Sequence, residues 1–327
     1  IRPRDWSSDV CSSDLPFAIA LAALLIAPAA SHAQEKLRIA LGGFGAWAVE
    51  AARLGVQSGI FKKHGLDVEY YATAGAGESI QAVVSGSADL SAGVGTMGAI
   101  GAFSKGAPIR VIGANFTGSG DVYWYVRADS PIKTFKDARP TDIMGYSSNG
   151  SSTHIAAAAL VDEAGVKAKL LASGDMASTL TQVMSGQIAM GWAAPPFGLR
   201  EIEEGKIRLV GTGNEAPSLR EQTVRVDIAN LRLLNERRDV LSRYVKAYRD
   251  ILDFMANDPK AIEMWAGNVG VPVALAKIAA EQYQPKAARD FDRISGLDKL
   301  MEGAVKQKFL AAPLTQAQLA ELIQTIR

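Results

Sequence analysis

Seven consecutive residues, Ser147-Ser148-Asn149-Gly150-Ser151-Ser152-Thr153, carry six hydroxyl or amide side chains and one glycine, and a run of alanines follows them. One such residue can cap the helix that the alanines predict, because a Ser, Thr or Asn oxygen accepts from the free N–H groups of a first turn. A cap needs one residue and six are present. Hydrogen bonding to a small ligand through Ser148, Asn149, Gly150, Ser151 and Ser152 is therefore expected.

Further turns are candidates for the same site. Gly43-Phe44-Gly45-Ala46-Trp47, Thr73-Ala74-Gly75-Ala76-Gly77 and Gly95-Thr96 contribute Gly45, Trp47, Thr73, Gly75, Gly95 and Thr96. Ser173-Gly174-Asp175 and Trp192-Ala193-Ala194-Pro195 contribute Asp175 and Trp192. Glycine lets a backbone approach a ligand closely, or simply permits a tight turn between strand and helix. Trp47 and Trp192 are expected either to stack on a flat ligand or to lie in the core. Asp121 and Asp175 can hold an amine or serve as turn and N-cap residues. None of these loops contains Lys or Arg, so an anion would be held by helix N-termini and hydroxyls. His154 stands in a first helical turn and is expected to be a solvated or satisfied side chain. No two ligand-type residues fall at metal spacing, and no nucleophile–base pair, paired carboxylates or phosphate-binding loop is present. No cofactor, metal or catalytic residue is expected.

The elements that must position these loops alternate. Strands are predicted at 37–41, 68–71, 90–94 and 109–115, with helices at 46–58, 78–85 and 97–104. The alternation repeats with strands at 143–146, 168–171, 188–192 and 207–210, and helices at 151–164, 176–185 and 195–204. Gly86, Gly106, Gly165, Gly186 and Gly205 supply helix stops. Such alternation argues for parallel α/β sheets, and ligands of such sheets sit beyond the carboxyl ends of the strands. Residues 65–96 laid on 165–196 repeat the element order, with identities at Gly65/Gly165, Ala72/Ala172, Val83/Val183, Ser85/Ser185 and Gly86/Gly186. Residues 223–228 alternate like a strand that returns to the first half. Helices then fill 236–256, 259–267, 272–283, 295–308 and 314–326, with i, i+3, i+4 apolar spacing that suits packing against one lobe and the hinge.

The chain has 327 residues, 48% hydrophobic and 21% charged, with a net charge of +1. Two domains are expected, and the charge gives no support to a nucleic-acid partner. Leu15 to Ala30 is an apolar run followed by Ser31-His32-Ala33, the pattern of a cleaved signal peptide over residues 15–33. Residues 1–14 read as a non-native, adapter-like extension with three aspartates where a signal peptide wants basic charge. Cys11, the one cysteine, lies there. Removal of residues 1–33 takes away two Arg and three Asp, leaving +2.

Several stretches together resemble the periplasmic substrate-binding components of nitrate/sulfonate/taurine-type ABC importers, including the thiamine-pyrimidine-precursor binders. They are Trp47-Ala48-Val49-Glu50-Ala51-Ala52, Gly59 to Val68, Ser85-Gly86-Ser87-Ala88-Asp89-Leu90, Gly95-Thr96, Tyr146 to Ser152, and Trp192-Ala193-Ala194-Pro195-Pro196. The resemblance implies an α/β, type II periplasmic-binding-protein fold: two α/β lobes joined by crossing strands, a central ligand cleft and C-terminal helices. Lobe one is expected over 34–121 and 228–327, and lobe two over 122–227. The implied role is a periplasmic, monomeric protein that delivers a small anionic or aromatic/heterocyclic molecule to the permease subunits of an ABC importer. Ala189 replaces an acidic residue frequent in relatives, which weakens any transfer of ligand identity. The alternatives are an enzyme on the same fold, of the pyrimidine-precursor-synthase or menaquinone-pathway type, and a ligand-sensing partner of a membrane receptor. The pyrimidine-precursor synthase would need a Cys-rich motif that this sequence lacks.

Overall fold

A computed structural model describes residues 34–326; the expected extension and signal peptide, residues 1–33, lie outside the described residues. The chain opens with β1 (Glu35–Leu41), a 3-10 turn at Trp47–Val49, and helices α1 (Ala51–Gln57) and α2 (Ile60–Lys63). The single helix expected over 46–58 is thus broken. At the break, buried Glu50 accepts a hydrogen bond from the Gly45 N–H at 3.0 Å, which holds the glycine turn against the helix start. Then follow β2 (Leu66–Ala72), α3 (Ala76–Ser85), β3 (Leu90–Gly95), α4 (Thr96–Ser104) and β4 (Ile109–Thr117), close to the predicted bounds.

The chain then crosses into a second group of elements: β5 (Tyr123–Arg127), β6 (Ile143–Tyr146), α5 (Ser152–Glu163), β7 (Lys169–Ala172), α6 (Met176–Met184), β8 (Gly191–Ala193), α7 (Leu199–Glu203) and β9 (Ile207–Thr212). It returns through β10 (Thr223–Asn230) and ends in α8 (Leu231–Glu236), α9 (Arg238–Asn257), α10 (Pro259–Val269), α11 (Val273–Tyr283), α12 (Leu297–Lys306) and α13 (Gln316–Leu322). Among the described residues no helix is long and apolar enough to cross a membrane.

The first sheet runs β2-β1-β3-β10-β4, with β1 parallel to β2 and β3, and β10 antiparallel to both its neighbours. The second region holds a three-stranded antiparallel sheet, β8-β5-β9, and a parallel pair, β6-β7, joined by a bridge between Met144 and Met190. The purely parallel expectation therefore fails at β5 and β10, the strands next to the crossings. β5 has no alternating pattern to announce it, since Tyr123, Trp124, Tyr125 and Val126 are all buried. The helix expected over 195–204 forms only from Leu199: Pro195 and Pro196 precede it, and the Phe197 carbonyl is held by Tyr123 Oη at 2.7 Å.

The internal repeat is structural. β2, α3 and β3 correspond at an offset of one hundred residues to β7, α6 and β8. Thr73 Oγ1 pairs with Ser79 Oγ at 2.8 Å, and Ser173 Oγ pairs with Thr179 Oγ1 at 2.7 Å. Each pair fastens the end of a strand to the first turn of the following helix.

The C-terminal helices brace the first sheet and the crossings, as expected. Tyr244, Val245, Tyr248 and Ile251 of α9 are buried in one core with Leu54 of α1, Phe61 of α2 and Leu37 of β1. Beyond α11, the Ser295 N–H donates to Thr223 Oγ1 at 2.9 Å, at the start of β10.

Candidate functional site

The carboxyl ends of β1, β2 and β3 face those of β6, β7 and β8 across a cavity of about 400 Å³. That volume suits a small organic ligand. Gly42, Gly43 and Phe44 come from the turn after β1, Thr73 and Ala74 from the turn after β2, and Gly93 from β3. Opposite them stand Ser147, Ser151, Ser152 and Thr153 ahead of α5, Asp175 and Met176 at the start of α6, and Trp192, Ala194 and Phe197 around β8. Asp121 and Val122 enter from the first crossing and Arg225 from β10. An adjoining depression of about 350 Å³ shares Phe44, Met176 and Phe197 with this cavity and includes Gly45.

Of the residues expected at the site, Thr73, Ser151, Ser152, Asp175 and Trp192 line the cavity, and Gly45 lies at its neighbour. Trp47 does not: it is 1% exposed and packs on Trp265, ring centroids 4.7 Å apart, so it is a core residue. Thr96 is buried and spends its hydroxyl on the Thr223 carbonyl at 2.6 Å. Gly75, Gly95, Gly150 and Ser148 form the seam where the two regions touch beside the cavity. A Cβ on Gly95 would stand 2.1 Å from the Gly150 carbonyl oxygen, and one on Gly75 3.0 Å from Ser148 Oγ. The Gly98 N–H donates across the seam to the Gly150 carbonyl at 3.1 Å. Exposed Asn149 lies outside the lining and accepts from Tyr146 Oη at 2.7 Å.

The serine-rich loop is more structural than its composition suggests. Ser151 caps α5 by accepting from the His154 N–H at 3.1 Å. Thr153 Oγ1 accepts from the Ser147 N–H at 2.9 Å. His154 is buried and stacked on Tyr146, and its Nδ1 accepts from the Gly150 N–H at 3.1 Å. Burial holds this imidazole below its ordinary range. Asp175 caps α6 by accepting from the Ser178 N–H at 2.7 Å, and these bonds hold its carboxyl below the usual carboxylate range. Trp192 leans along the cavity with Nε1 donating to the Gly174 carbonyl at 3.3 Å.

Sequence reasoning about the loops missed Arg225, because it lies within a strand. Its guanidinium ion-pairs with Asp121, donates to Ser152 Oγ at 3.3 Å, and lies 4.6 Å over the Phe116 ring. Both members of the pair are buried, and burial pushes the Asp121 carboxyl up against the pull of Arg225 and Gln284. The available signal was a charged residue in an otherwise buried alternating strand, Thr223 to Asn230.

Two α/β regions joined by crossing strands, with a cavity between the carboxyl ends of their strands, define the type II periplasmic-binding-protein fold. The family model described as NMT1/THI5-like matches residues 53–262, and the chain belongs to that family. Among solved structures, the chain is similar to the alkanesulfonate-binding protein SsuA from Xanthomonas axonopodis pv. citri bound to MOPS. The TM-score is 0.72 at 16% identity, covering 89% of this chain and 98% of that one. It is also similar to the periplasmic aliphatic sulphonate binding protein SsuA from Escherichia coli, with a TM-score of 0.66 at 16% identity and coverage of 90% and 93%. A DszB mutant in complex with biphenyl-2-sulfinic acid matches with a TM-score of 0.63 at 14% identity, covering 89% of this chain and 97% of that one. No curated protein sequence matches significantly.

Proposed function

We propose that this chain is an extracytoplasmic solute-binding protein that hands a small molecule to the permease subunits of an ABC importer, as a monomer in the periplasm. One observation carries the reading: the cavity draws its walls from matched strand–helix turns of two regions joined by two crossings, the arrangement that lets a ligand hold two lobes together. In this reading lobe one comprises 34–121 and 228–327 and lobe two 122–227, with β10 itself paired wholly into the first sheet. Phe44, Val122, Met176, Trp192 and Phe197 form a broad apolar lining, which favours an aromatic or heterocyclic body.

Binding without catalysis is part of the proposal. Ser147, Ser151 and Thr153 are engaged around the start of α5 and Ser152 accepts from Arg225, and the charged groups beside them are Asp121, Asp175 and Arg225, with Arg225 committed to Asp121. The test is a thermal-shift screen of small aromatic, heterocyclic and sulfur-oxyacid compounds, followed by calorimetry of the hits. Saturable one-to-one binding that changes Trp192 fluorescence, with the compound recovered unchanged, is the expected result. Turnover of a bound compound would sink the reading.

A further inference from the structure

Resting on that reading of the cleft, we infer that its ligand is a flat ring bearing no net negative charge, either uncharged or carrying an ammonium group, and that sulfonates and carboxylates are excluded.

An anion entering a protein cleft needs an uncompensated cation or a free helix N-terminus. Among the described residues the one cation lining the cavity itself is Arg225, which is paired with Asp121 and further hydrogen-bonded to Ser152. Its positive charge is therefore balanced at its source, inside the protein. Asp175 adds a second carboxylate to the lining, so the three charged groups sum to −1. Two of the helix starts carry a side-chain acceptor as well. Asp175 caps α6, and Ser151 caps α5. α3 has no side-chain cap, but Glu78 sits in its first turn and accepts from the Ala74 N–H at 2.9 Å. Arg225 and the starts of α5 and α6 thus each already have an acceptor. Trp192 and Phe197 instead line the cavity with aromatic surface, which suits a cation or a neutral ring, while the Phe44 ring already has the Arg53 guanidinium 5.3 Å from its centroid. The fold neighbours that hold sulfur oxyacids share the architecture, and this lining is built for a different charge.

A charge series on one ring tests the inference: benzylamine, benzamide, benzoate and benzenesulfonate, with affinities measured by ligand-observed NMR against the purified protein. The expected result is that benzylamine or benzamide binds at least tenfold more tightly than either anion, with Trp192 emission quenched. Asp121→Asn keeps the side chain's shape and releases the charge of Arg225, so it is expected to raise benzoate and benzenesulfonate affinity at least tenfold. Anions that bind the unmodified protein as tightly as benzamide, with a response lost in Trp192→Phe, overturn the charge inference and leave the cleft reading intact. Binding of all four probes that is indifferent to Trp192→Phe overturns the cleft reading itself. If Asp121→Asn does not fold, the series on the unmodified protein decides alone.

Discussion

Arg225, on β10, ion-pairs with Asp121, on the segment between β4 and β5, so a single buried contact joins the two stretches by which the chain passes between its two regions. Gln284, just past α11, adds a hydrogen bond from Nε2 to Asp121 Oδ2 at 3.4 Å. Two charges taken out of water repay their desolvation poorly, but removing one of them leaves the other stranded. Asp121→Ala is therefore expected to cost about 3–5 kcal/mol in urea unfolding. Asp121→Leu combined with Arg225→Met is expected to recover most of that loss. A double variant as unstable as the single one would show that the contact does not act as a unit.

The seam beside the cavity should behave as a stop for lobe closure. Gly95 has an ordinary φ of −61°, so alanine there meets no backbone strain of its own. Its methyl would nevertheless strike the Gly150 carbonyl and the Ser151 backbone, at 2.1 and 2.7 Å. Gly95→Ala is expected to wedge the regions apart, raising the radius of gyration by X-ray scattering and lowering ligand affinity at least tenfold while the fold persists. Gly86→Ala is the contrast. Gly86 caps α3 at φ 76° with open space around it, so alanine there costs about 1–2 kcal/mol of stability and leaves affinity unchanged. Equal effects of the two substitutions on affinity would remove the seam's special role.

Much of this is legible in the sequence. The offset of one hundred residues between 65–96 and 165–196 carried the matched turns, and the Gly and Ser clusters marked where the strands end. Composition could not tell which members of a polar loop look into a cavity. Ser147, Ser151 and Ser152 line it, whereas Ser148 abuts Gly75 and Asn149 turns to Tyr146. Loop reading also could not find Arg225, since a strand residue reaches the cavity only because β10 is inserted antiparallel between β3 and β4. That pairing is long-range and leaves no local mark.

Asp227 gives the protein a pH dependence of unusual sign. It is buried on β10, with Oδ1 accepting from the Gly93 N–H at 2.8 Å and from Asn115 Nδ2 at 3.0 Å, and with the Tyr244 and Tyr248 phenols nearby. Burial outweighs these bonds and pushes its carboxyl from an ordinary 3.8 up to about 7. Between those values the folded protein keeps a proton that the unfolded chain has lost, so this group's contribution to stability falls as pH rises from about 4 to about 7 and then stays flat. At about 1.4 kcal/mol per pH unit the full effect is a few kcal/mol. Asp227→Asn should remove the slope: the variant melts higher than the unmodified protein at pH 8, and the gap closes toward pH 4. Parallel melting curves for the two proteins across that range would show that Asp227 is ionised throughout.

Two tryptophans that look alike in sequence, each with a small residue on either side, should separate completely in experiment. Trp47 is sealed between Trp265 and the Arg289 guanidinium, which lies 5.9 Å from its ring. Trp192 is half-buried on the cavity wall, tethered by one bond to the Gly174 carbonyl. Removing a sealed indole leaves a void as well as losing its transfer energy, so Trp47→Ala is expected to cost about 3–5 kcal/mol in chemical denaturation. Any affinity it loses should be recovered at the lower temperatures where the variant is folded. Trp192→Ala removes a wall that already faces open space. It should cost about 1 kcal/mol or less, since its hydrogen bond is the main thing lost, yet abolish the ligand-induced thermal shift. The reverse pattern, with Trp47 governing affinity and Trp192 governing stability, would move the binding site to the far side of β1.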